Sequence, residues 1–102
     1  MTSNERAQTV LDMGAEYYGI PVSTLVKPCR HRSLVDTRHI IMYAMRSLTG
    51  ITLKETGDYF NRDHTSVIHS CRVAQALIET DDLFRAGYEG FLLALKGKGV
   101  VS

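Results

Sequence analysis

Four consecutive residues, Asp63-His64-Thr65-Ser66, offer a carboxylate acceptor, an imidazole donor, a methyl group and two hydroxyls within about one helical turn. That set suits the edges of DNA bases. A carboxylate can accept from cytosine N4, an imidazole can donate to guanine acceptors, and a threonine methyl can pack on a thymine methyl. His69, Arg72 and Val73 continue the outer side of the same segment. Upstream lies a basic stretch: residues 27–46 hold Lys27, Arg30, Arg32, Arg38 and Arg46 against one acid, Asp36. Residues 79–95 are the reverse, with Glu79, Asp81, Asp82 and Glu89 against Arg85. A chain built this way can meet a polyanion with one side only, which its net charge of +1 conceals.

Two other chemistries are weaker. Cys29, His31, His64, His69 and Cys71 resemble the halves of a zinc site. On a helix, however, His69 and Cys71 stand about 200° apart and cannot share one ion. Cys71 instead fits an apolar stripe, where a free thiol behaves as a small hydrophobe. Asp63 and His64 are neighbours on a helix and face different ways, and the spacing places no nucleophile beside them. No catalytic residue, metal or cofactor is expected.

The elements that must carry these residues read as helices throughout. Val10, Leu11, Gly14, Tyr17 and Tyr18 recur at helical spacing and predict a helix over 5–18, stopped by Gly19. Pro21 opens a short helical turn over 22–26, closed by Pro28. Residues 29–34 read as a polar, basic connection. Asp36 or Thr37 is expected to cap a long helix with Ile40, Ile41, Ala44 and Leu48 inward, ended by Gly50. Thr52 and Glu55 have the spacing of a capping box for a short helix ending near Phe60. After a tight turn at Asn61 and Arg62, Asp63 caps the next helix, with Val67, Ile68, Cys71, Ala74, Gln75 and Ile78 on one stripe. A last helix starts at Thr80 or Asp81 and turns Phe84, Tyr88, Phe91, Leu92 and Leu95 inward. Residues 96–102 show no pattern and read as a frayed, flexible tail. The fold class is all-α, a single compact domain over 1–95 with five to six helices. Two of them, 52–60 and 63–80, have the outline of a helix-turn-helix.

Length and composition agree. The 102 residues, 44% hydrophobic, suit one core and leave no room for two lobes with a cleft. Two cysteines do not make a disulfide framework and fit a reducing cytoplasm. No apolar run approaches the roughly 20 residues that span a bilayer, and the polar N-terminus lacks a signal-peptide centre.

The run Arg62-Asp63-His64-Thr65-Ser66-Val67-Ile68-His69-Ser70-Cys71-Arg72 resembles the signature of the DNA-binding domain of the bacterial replication initiator DnaA. The resemblance extends upstream through Glu16-Tyr17-Tyr18-Gly19-Ile20, residues 30–38 and residues 48–55, and downstream to about Leu95. It implies a Trp-repressor-like helix-turn-helix domain that binds double-stranded DNA at an asymmetric, A·T-rich DnaA box. It further implies a monomer on DNA, at the cytoplasmic nucleoid, with a role in replication initiation or its control. Position by position, Arg32 matches the arginine inserted into the minor groove, where groove width and negative potential attract it. Asp63, His64 and Thr65 match the major-groove readers, and Ser66 stands where a second threonine is common. Arg38, Arg46, Thr52, Lys54 and Arg62 match places of phosphate contact, and Arg30, His69 and Arg72 are expected to join them.

The chain departs from the family in three respects. Its turn is only Phe60-Asn61-Arg62, shorter than in many members. Asp36 takes a place that is basic in some relatives. No G-x-x-x-x-G-K-[ST] phosphate loop occurs, so these residues supply no ATP-driven motor. Met1-Thr2-Ser3-Asn4 reads as a natural start, which favours a stand-alone module over the end of a longer initiator. A protein-interaction module or transcription regulator that kept the fold is the alternative expectation.

Overall fold

A computed structural model describes residues 2–28 and 31–100. These residues form six helices, with no strand among them: α1 (Ser3–Tyr18), α2 (Val22–Leu25), α3 (Arg32–Thr49), α4 (Leu53–Phe60), α5 (His64–Thr80) and α6 (Asp82–Gly97). Local chemistry sets most of the boundaries. Thr2 and Glu5 form a capping box at the start of α1, and Thr52 and Glu55 form another at the start of α4. In each, the hydroxyl accepts the glutamate amide while the carboxylate accepts the threonine amide. Gly19 and Gly50 end α1 and α3 in the left-handed conformation, at φ 71° and 72°.

Helix α3 starts earlier than the sequence suggests. Asp36 and Thr37 were the expected caps, yet the cap is His31 and both residues lie inside the helix. Thr37 donates its hydroxyl to the Ser33 carbonyl at 2.8 Å, and Asp36 pairs with Arg32 at 3.7 Å across one turn. Leu34, buried in the core, anchors this extra turn. The other end of the chain also differs from expectation. Helix α6 runs on to Gly97, and the Val100 amide then donates to the Leu95 carbonyl while Gly99 adopts φ 74°. This pattern is a Schellman closure, and its apolar partners Leu95 and Val100 are both buried. Lys96 and Gly97 thus continue α6, Lys98 and Gly99 are exposed, and Val100 is buried.

The core gathers around α3, against which α1 and α5 pack; α4 and α6 pack in turn on α5. Ile40, Ile41, Met42 and Met45 of α3 meet Val10 and Leu11 of α1, Phe60 of α4, Val67 of α5 and Phe91 of α6 in one cluster. Each fully buried large side chain contributes about 1.5–3 kcal/mol. On α5 the buried residues are Val67, Ser70 and Ala74, with Cys71 and Ile78 half-buried; Gln75, expected on that stripe, is exposed. No helix among the described residues is long and apolar enough to cross a membrane.

Three cap carboxylates give the fold an acid-sensitive edge. Backbone and hydroxyl hydrogen bonds from Thr2, Thr52 and Ser66 hold Glu5, Glu55 and Asp63 below the usual carboxylate range, and the Asn4 side chain adds to Glu55. A group whose folded pKa is depressed stabilises the fold above its unfolded value of about 4. That contribution disappears as pH falls through the folded value. Thermal midpoints followed by circular dichroism are expected to fall progressively from roughly pH 5 to pH 3. A midpoint constant over that interval would contradict the capping account.

Candidate nucleic-acid interface

The geometry of the α4–α5 corner depends on one glycine. Gly57 lies in the last turn of α4, where a Cβ would stand 2.3 Å from the Arg62 carbonyl oxygen. The Arg62 amide donates to the Gly57 carbonyl at 2.9 Å, and Asn61 supplies the left-handed residue at φ 54°. Asparagine tolerates that conformation better than most residues. The chain thus reverses within three residues, and α5 begins directly against α4.

Asp63 then caps α5, one carboxylate oxygen accepting from the Ser66 amide at 2.8 Å. The Ser66 amide and hydroxyl hold this carboxyl below its ordinary range, so it is a charged acceptor at neutral pH. The Thr65 amide adds to this hold, and the carboxylate remains exposed at the start of the helix. His64 and Thr65 are exposed beside it, and Ser66 is half-buried. The four residues form a short polar edge at the start of a helix.

Beside this edge runs an open groove lined by Arg46, Thr52, Lys54, Asp58, Arg62 and His64. Arg46 donates to the Ile51 carbonyl and so joins the end of α3 to the start of α4. Arg62 donates to the Phe60 carbonyl at 3.2 Å, and Lys54 reaches Asp58 at 3.2 Å while remaining exposed. These three cations lie together on the α4 side of the corner. On the other side, His69 and Arg72 are exposed along α5.

Arg32 is not in a loop. It occupies the first turn of α3, with its side chain 89% exposed and loosely paired to Asp36. Arg32, Asp36 and His39 share one face of α3, and the His39 ring stands edge-on to that of His69, centroids 6.0 Å apart. That contact brings the Arg32 row and the outer side of α5 to one side of the molecule.

Arg38 must be reassigned. Expected to contact phosphate, it is 5% exposed; its Nε donates to the Leu25 carbonyl and an Nη donates to the Lys27 carbonyl, each at 2.7 Å. It ties the segment after α2 to α3. The signal was in the spacing, since Leu34, Arg38, Ile41 and Met45 fall on one buried stripe. Arg30 and Cys29 lie outside the described residues. Gly57 and His39 were missed: a glycine inside an eight-residue helix and a histidine in register with Arg32 were the available cues.

Cys71 is half-buried, and burial pushes its thiol up, away from the thiolate that metals and electrophiles require. Among the described residues no three His, Cys, Asp or Glu side chains gather as a metal set. In comparison with known families, residues 7–73 match the family described as bacterial DnaA protein helix-turn-helix.

Proposed function

Because the chain belongs to the bacterial DnaA protein helix-turn-helix family, whose domains bind DNA, we propose that it reads double-stranded DNA at DnaA-box-like sites. The observation that carries this is the exposed Asp63-His64-Thr65 edge at the start of α5, on the same side as the exposed Arg32. Asp63, His64, Thr65 and Ser66 enter the major groove, and Arg32 enters the adjacent minor groove. Arg46, Thr52, Lys54 and Arg62 hold the backbone from one flank; His69 and Arg72 hold it from the other, with Arg30 as a further contact. Phosphate contacts fix register, and the few base contacts supply sequence preference. The box is asymmetric, so one copy occupies one site. No catalysis or cofactor is needed: the chain acts in replication initiation, or its control, by occupying sites in the nucleoid.

Single substitutions separate these roles. Arg32→Ala and His64→Ala are each expected to cost roughly 1–3 kcal/mol on a DnaA-box duplex and to flatten the preference over a shuffled one. Lys54→Ala is expected to weaken both duplexes alike. Fluorescence anisotropy titrations check this. Three variants with indistinguishable specificity ratios would overturn the division into readers and positioners.

A further inference from the structure

His39, half-buried on the Arg32 face, is an ionisable group that the proposed contacts leave without a task. Its Nδ1 is shielded from solvent and has no hydrogen-bond partner among the described residues. Its ring meets the ring of His69, which is exposed on α5. Arg32 precedes His39 by seven residues, about 10 Å along the helix. If Arg32 enters a minor groove and the first turn of α5 enters the neighbouring major groove, the strand between the grooves passes over the space between them. The imidazole pair stands there.

Resting on the DNA-reading function proposed above, we infer that duplex binding is coupled to proton uptake at His39, whose ring packs against His69 on the side that faces the phosphate backbone. The surroundings define the coupling. In the free chain, burial lowers the His39 titration, His69 and Arg38 lower it further, and Asp36, one turn back on α3, raises it. From α5 the facing group is His69, and Arg72 lies one turn further along that helix. Two adjacent imidazoles resist carrying charge together. A phosphate within about 4–6 Å reverses this at His39, because it favours the cation. Asp36 is engaged by Arg32 in the free chain and is released toward His39 when Arg32 enters DNA. The region that is net-basic in sequence thus keeps part of its positive charge in reserve until DNA arrives.

Imidazole titrations by NMR, on the free chain and on its complex with a DnaA-box duplex, test the coupling without any substitution. His39 is expected to titrate below the ordinary histidine value when free and above it when bound. Each unit of that displacement raises affinity about tenfold as pH falls from roughly 8 to 5.5. His39→Gln is expected to lose that rise. Two results would overturn the inference while leaving DNA reading intact: a bound duplex with His39 titrating no higher than in the free chain, or an unaltered pH dependence in folded His39→Gln. Failure to bind the duplex at any pH would overturn the proposed function, and the coupling with it.

Discussion

Gly57→Ala is expected to destabilise the domain by about 3 kcal/mol and to remove specific DNA binding. The added methyl would lie 2.3 Å from the Arg62 carbonyl oxygen, inside any permitted contact distance. Neither atom can escape by a rotamer change, because both are fixed by backbone, and the Arg62 amide is itself bonded to the Gly57 carbonyl. Relief requires opening the turn, and that moves the start of α5 relative to α4. The Asp63 cap, the Arg62 contacts with the turn carbonyls and the groove beside Thr52 and Lys54 all depend on that placement. The sign of the effect is diagnostic. In an unobstructed helix interior the same exchange stabilises by roughly 0.5–1 kcal/mol. Urea unfolding that finds the variant as stable as the parent would contradict the corner geometry.

Arg38→Gln is expected to cost a similar amount, about 3 kcal/mol, but for a different reason. The guanidinium is buried and satisfies the carbonyls of Leu25 and Lys27, which end α2 and lead out of it. Glutamine is too short to reach both, and a buried carbonyl without a donor costs about 1–3 kcal/mol. The loss should appear in urea or thermal unfolding. Duplex affinity, measured where the variant is folded, should fall only through loosening of the segment before α3. Unchanged stability with a tenfold or greater loss of affinity would return Arg38 to the phosphate contacts.

Most of the fold was legible because its signals are local. Gly19, Gly50 and the Thr52–Glu55 box act within one turn, and the Asp63 cap that starts α5 does too. The errors arose where tertiary packing overrides composition. Residues 29–34 look like a polar connection, but burial of Leu34 brings Arg32, Ser33 and Leu34 into α3. Residues 96–100 lack a pattern, yet Val100 is drawn onto the core by a closure that needs only Gly99 at positive φ. Arg38 counted as one charge among five in a basic stretch, although its position on the Leu34–Ile41–Met45 stripe marked it as interior. For the candidate site, residue types alone pointed to Asp63, His64 and Thr65, and the structure leaves all three exposed at the start of α5. The Gly57 contact joins residues across a turn, and the His39–His69 contact joins two helices; neither follows from the periodicity of a single helix.

The central claim is that this corner reads sequence and does not merely attract a polyanion. Anisotropy titration of the chain against a labelled DnaA-box duplex and a shuffled duplex of equal length and composition, at one salt concentration, tests it most directly. The account predicts tighter binding to the box by about a thousandfold or more, the range of specific over non-specific recognition. Equal affinity for the two duplexes would contradict it.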